Sequence, residues 1–251
     1  DLTFQEKLME FRREHRLTGG KVQIVGMERH IASSNHKLAL KSLIIPNFQK
    51  VSPRQQRLKD LAIKNDWIYT REEQVDTSEL YDFDFFQSRP LESKLNVIGG
   101  HYQSTKVDWE FSDIVFDEGA MLSKEVYKTS VQLIHLPSEI PTFVIEAEGI
   151  LDKLVDRVFF ISGHSDIDFS HAPKFSGKFR LTGEDEDKIK NFFTPELIEF
   201  FESEAVYHIE SNGHALILFK NLKPLKTEEI EPMLDFSRKM TDLITQNKIN
   251  V

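Results

Sequence analysis

Two histidines and two aspartates fall within eight positions of one another in "ISGHSDIDFSHAPKF", Ile161 to Phe175: His164, Asp166, Asp168 and His171. Imidazole nitrogens and carboxylate oxygens are ligands for zinc, manganese or iron, so these four residues define a metal-dependent hydrolase as one chemistry open to the chain. The spacing works against it. Extended, the segment puts His164, Asp166 and Asp168 on one face and His171 on the other. Helical, it aligns His164, Asp168 and His171, but Gly163 and Pro173 bracket a run poor in helix formers. No H-E-x-x-H spacing occurs. The favoured expectation is a polar loop or strand entry whose carboxylates bond backbone amides, with no metal or other cofactor bound.

Other candidates weaken in the same way. In "VYHIESNGHALILF", Asn212-Gly213 predicts a hairpin with a two-residue type I′ turn, Ser211 opposite His214 and His208 opposite Ile217. That register sends the two imidazoles to opposite faces, each at a sheet rim or half-buried, where they cannot chelate one ion. "LTGGKV", Leu17 to Val22, lacks the first glycine and the final hydroxyl of a phosphate-binding loop and reads as a helix stop. Neither a G-x-S-x-G elbow nor a G-x-G-x-x-G turn is present. "YDFDFFQ" reads as a charged edge, Asp82 and Asp84, alternating with buried Phe83 and Phe85.

Composition narrows the classes further. Absence of cysteine rules out disulfides, thiolate metal sites and cysteine nucleophiles. The net charge of −9 opposes non-specific nucleic-acid binding. Residues 1–65 carry 13 Lys+Arg against 6 Asp+Glu, a balance of +7, and the rest 19 against 35, or −16. The basic portion could face anionic lipid, a phosphate-bearing ligand or the acidic remainder. No apolar run reaches the roughly 18 to 20 residues needed to span a bilayer, so the segment reads as soluble. Because it does not start with methionine, a membrane anchor, signal peptide or tag is expected upstream of Asp1.

The elements that position these residues follow from period and punctuation. Phe4, Leu8 and Phe11 mark an amphipathic helix ended by Gly19-Gly20, and Ser52-Pro53 opens a second through "RQQRLKDLAIKN". "DWIYT", "KLNVIGGHYQ", "KVDWEFSDIVF", "VYKTSVQLIHL", "TFVIEAEG" and "KFRLTG" read as strands, the central ones as an antiparallel meander. In "SVQLIHL" both alternating faces hold apolar residues, so both are expected to be covered. "EGILDKLVDRVF" and the stretch from Glu184 read as helices, and Thr194-Pro195-Glu196 as the cap and first turn of another. After Thr227, Ile230, Met233, Leu234, Ser237, Met240 and Ile244 recur at helical spacing, with Pro232 near the first turn.

The order of these features resembles a group of uncharacterised bacterial proteins, many of them membrane-anchored, over residues 60–246. The matching positions are Trp67 and Tyr69; Asn96, Val97, Gly100 and Tyr102; Leu136, Pro137 and Pro141; Asp166, Asp168, Phe169, Phe175 and Phe179; and Thr194, Pro195 and Leu197. His164 and His171 have no match in the pattern, and Gly177 stands where the group carries asparagine. The resemblance implies an anchored or membrane-associated module of unknown function, with no catalytic residue set attached.

Together these readings predict an α+β protein, an antiparallel sheet meander packed with helices and closed by a long C-terminal amphipathic helix. Residues 1–65 form a basic, helix-containing region, and residues 66–251 an α+β domain, open to division into two subdomains near 150–175. The expected role is non-catalytic binding or scaffolding of a protein or lipid partner at a membrane, facing the cytoplasm, with no nucleic acid. The competing reading is the hydrolase built on His164, Asp166, Asp168 and His171.

Overall fold

The alternation in the middle of the chain builds a single antiparallel sheet of eight strands. The computed structural model describes residues 51–73, 78–118, 125–147 and 166–247. The strands are β1 (Ile68–Glu73), β2 (Leu91–Tyr102), β3 (Val107–Asp117), β4 (Val126–His135), β5 (Phe143–Ala147), β6 (Phe179–Thr182), β7 (His208–Ser211) and β8 (Ala215–Phe219). Their order is β1-β2-β3-β4-β8-β7-β5-β6. The first four follow the expected meander, and the β7–β8 hairpin is inserted between β4 and β5. One sheet therefore contains strands from both sides of residues 150–175. The helices foreseen at Phe4 to Arg16 and in "EGILDKLVDRVF" lie outside the described residues.

Helices lie on both faces, all but the second of them on one. They are α1 (Pro53–Lys64), α2 (Asp84–Gln87), α3 (Pro173–Ser176), α4 (Glu186–Phe192), α5 (Pro195–Ser203) and α6 (Thr227–Asn247). In α1 the buried residues Leu58, Leu61 and Ala62 stand at i, i+3 and i+4, the stripe a sheet-packed helix needs. Asp185 caps α4 by accepting from the Lys188 amide, and Thr194 caps α5 by accepting from the Leu197 amide. The α3–α5 corner is filled by phenylalanines: Phe169, Phe175, Phe179, Phe193 and Phe201 are all buried in one cluster. Lys178 Nζ closes the end of α5, donating to the carbonyls of Phe201, Glu202 and Glu204 at 2.9, 3.1 and 3.2 Å.

The long helix α6 buries Ile230, Met233, Leu234, Ser237, Met240 and Ile244 as its period requires. Pro232 is its sixth residue, near the first turn as the sequence suggests. The missing amide falls on the solvent side, where Pro232 and Asp235 are exposed and water can satisfy the freed carbonyl. Tyr102 pins this helix to the sheet: its hydroxyl donates to the Leu234 carbonyl at 2.9 Å and accepts from Gln132 Nε2 at 2.9 Å. Beside it, Trp109 lies flat over Gly100, where a Cβ would sit 2.3 Å from the indole. That glycine is required by close approach.

The opposite face is covered by a short strap. Ser78–Asp82 forms a 3-10 turn and leads into α2, and Leu80, Phe83, Phe85 and Phe86 pack against Ile114, Phe116, Val131, Leu133, Ile217 and Phe219. Both sheet faces are thus buried, as "SVQLIHL" requires. The strand expected for "YDFDFFQ" is instead helical, because consecutive Phe85 and Phe86 must both point inward, which a two-residue period cannot arrange.

The β7–β8 hairpin also differs from its prediction. Ser211 pairs with Leu216 and His208 with Phe219, and the Asn212 amide donates to the Ala215 carbonyl, so Gly213-His214 is the tight connection. Gly213 has φ +96°, while Asn212 keeps a negative φ and accepts the His214 and Ala215 amides on its side chain at 3.0 and 2.7 Å. Glycine at the first central position follows the type II′ pattern. The register moves by two residues, so the two imidazoles still leave on opposite faces.

Candidate functional site

From Asp166 onward, the stretch forms a structural lip on the edge strand β6. Asp166 Oδ1 accepts the Leu181 amide at 3.0 Å, and the Ile167 amide donates to the Leu181 carbonyl at 2.7 Å. Burial raises the pKa of Asp166, an effect the Leu181 amide opposes and the Asp168 charge assists. Ile167 and Phe169 insert into the core, whereas Asp168 and His171 are exposed. The His171 ring touches Phe169 edge-on at 5.6 Å. His164 lies outside the described residues. Among the described residues no group of three His, Asp or Glu side chains is arranged to hold a metal ion.

Two buried polar clusters hold the ionised groups that are most removed from water. In the first, Asp113, with no exposed surface, accepts from Arg54 Nε and Nη2 at 2.8 and 2.7 Å, Asn96 Nδ2 at 2.7 Å and Ser130 Oγ at 2.7 Å. Burial alone would raise its pKa, but the Arg54 pair and the two neutral donors hold it below the usual carboxylate value. Arg54 also donates to the Leu225 carbonyl, and the Leu225 amide donates to Ser130 Oγ at 2.9 Å. One carboxylate thereby joins α1, β2, β3, β4 and the loop before α6. Asn96 adopts φ +55° at an irregularity in the β2–β3 pairing and receives the Tyr69 hydroxyl at 3.2 Å. Asparagine tolerates that backbone better than most residues.

The second cluster is a charged triad beneath the strap. His208 lies between Glu146 on β5 and Glu210 on its own strand, with Nδ1 3.3 Å from Glu146 Oε1 and Nε2 2.5 Å from Glu210 Oε1. Its ring stacks on Phe219 at 4.3 Å and faces Phe85 at 5.9 Å. Burial would lower the imidazole pKa, but the two carboxylates reverse this and push it up to about 9. The second oxygen of Glu210 accepts the Phe85 amide at 3.1 Å, tying the strap to β7. Arg89 adds a clamp by donating to the Phe85 carbonyl and to both oxygens of Glu118. With 1% exposure, His208 is not the rim residue its sequence context suggests.

Neither cluster is arranged for turnover. An imidazole with both nitrogens directed at carboxylates is held protonated and offers no lone pair to a metal or a nucleophile. Asp113 has its oxygens occupied by donors and no open face. The polar groups match what folding needs, since a buried charge must be paired and hydrogen-bonded. The residues that carry the family-like pattern behave alike: Asn96, Gly100, Tyr102 and Tyr69 have backbone or packing roles. Trp67 meets Trp109 edge-on at 5.1 Å.

One part of this was visible in the sequence. His208 and Glu210 stand two apart on a strand and must share a face, and Asp113 shares the parity of Trp109 and Phe111, which point into the core. Glu146, distant in sequence, gave no such signal.

No family model matches the chain, and no curated protein sequence matches it at a significant level. Among solved structures, the fold is similar to that of the mycobacterial trehalose monomycolate transport factor A, TtfA, with a TM-score of 0.55 and 12% sequence identity. The alignment covers 76% of this chain and 93% of that one. The α+β architecture is therefore shared by two chains with little sequence identity. Among the described residues no helix is long and apolar enough to cross a membrane.

Proposed function

We propose that the chain is a non-catalytic binding or scaffolding module that works at a membrane surface. The observation that carries this reading is the state of the ionised groups: Asp113 is fully buried with its donors supplied by the protein, and His208 is buried and ion-paired with Glu146 and Glu210. The fold it shares with a transport factor is compatible with that role. Facing the cytoplasm and binding a protein or lipid partner belong to the same proposal.

Fractionation tests it. Protein expressed from its native reading frame is expected to sediment with membranes after cell lysis and to remain there at physiological salt. Recovery in the supernatant alone would overturn the membrane part of the reading.

A further inference from the structure

Cations gather where α1 meets the sheet. Arg54 reaches Asp113, Ser130 and the Leu225 carbonyl, and Lys128 Nζ lies 3.5 Å from Asp113 Oδ2. Thr129 Oγ1 donates to the Asn221 carbonyl at 2.6 Å. These bonds lay the segment "KNLKPLK", residues 220–226, against β4 beside the start of α1. Lys223 and Lys226 on that segment are exposed, and so is Arg57, one helical turn beyond Arg54. Arg54 and Lys128 keep 21% and 33% of their side chains in solvent.

The carboxylates nearby cancel only part of this charge, Asp113 offsetting one of the two cations, Arg54 and Lys128, that lie against it. Asp113 is wholly buried, and Glu229 is bound to Lys220 at 2.7 Å and to the Lys226 amide at 2.9 Å. Asp60, which accepts from the neutral Gln56 amide, and Glu228 are exposed acids at the margin. The chain beyond residue 65 has a balance of −16, so a basic face there is a local feature set against the prevailing charge.

We infer that Arg57, Lys223 and Lys226, backed by Arg54 and Lys128, form a docking face for the phosphate headgroups of an anionic membrane. This rests on the membrane reading above and names the surface that serves it. A long polyanion such as nucleic acid would extend past the patch into acidic surroundings, whereas a planar headgroup layer needs only one basic face. Each cation near such a surface is worth about a fivefold change in binding, so three together should account for about 100-fold.

The test is sedimentation of the full chain with phosphatidylcholine vesicles, with and without roughly one third phosphatidylglycerol. The expected result is binding to the anionic vesicles alone, weakened by salt, and lost about 100-fold in the variant Arg57→Gln, Lys223→Gln, Lys226→Gln. A charge-matched control, Lys174→Gln, Lys188→Gln, Lys190→Gln, changes cations on α3 and α4 and is expected to bind as the parent does. Thermal melts of both variants exclude unfolding as the cause. Equal loss in the two variants, unchanged binding in the first, or absence of vesicle binding by the parent would each overturn the inference. If the native protein still fractionates with membranes in those cases, the proposed function stands and this face is not what holds it there.

Discussion

Raising the pH through the titration of His208 should destabilise the protein by a calculable amount. The imidazole is flanked by Glu146 at 3.3 Å and Glu210 at 2.5 Å, and its pKa rises from 6.5 to about 9 on folding. A group bound more tightly to its proton in the folded state contributes stability that is complete below its unfolded pKa. That contribution is lost as pH climbs through the folded one. The interval from 6.5 to about 9 corresponds to about 3 kcal/mol at 1.36 kcal/mol per pH unit. Urea unfolding of the parent and of His208→Gln, followed at several pH values across that interval, isolates this term by difference, since every other group titrates in both. Between pH 6 and pH 9 the parent should lose about 3 kcal/mol more than the variant does. At low pH the variant should already be about 3–5 kcal/mol weaker, because two carboxylates are left buried without their cation. Parallel pH profiles for the two proteins, or an imidazole proton titrating near 6.5 by NMR, would refute the charged triad.

Other substitutions probe the remaining supports. Gly100→Ala places a methyl 2.3 Å from the Trp109 indole and should cost about 1–3 kcal/mol, read from thermal melts together with altered tryptophan fluorescence. Lys178→Met removes the donor shared by three carbonyls at the end of α5 and should cost about 1–3 kcal/mol in urea unfolding; a change under a few tenths would show that water replaces the ammonium freely. Arg54→Met leaves Asp113 buried without its cation and should cost about 3–5 kcal/mol, much of it recovered in the double variant with Asp113→Asn.

The strands were legible because their signals are local. The residues of β2, β3 and β4 alternate or run apolar between turn residues, and the caps at Asp185 and Thr194 sit where acids, proline and hydroxyl predict them. The strap was misread for a physical reason. Its run of aspartate and phenylalanine imitates the two-residue period of a strand, and only the neighbouring Phe86 breaks it. The insertion of β7 and β8 between β4 and β5 is a long-range choice that no local pattern encodes. The triad was half legible for the same reason, His208 and Glu210 sharing a strand while Glu146 arrives from another. The pair Asp166 and Asp168, first noticed as ligands, are both exposed in the structure, and Asp166 accepts a backbone amide from the edge strand.

That the polar residues hold the fold instead of a reaction is tested most directly by elemental analysis of protein purified without chelator, alongside Asp168→Ala. The account predicts no stoichiometric manganese, zinc or iron in either protein and no difference between them. A stoichiometric metal present in the parent and lost in Asp168→Ala would contradict it and return the hydrolase reading of residues 164–171 to the front.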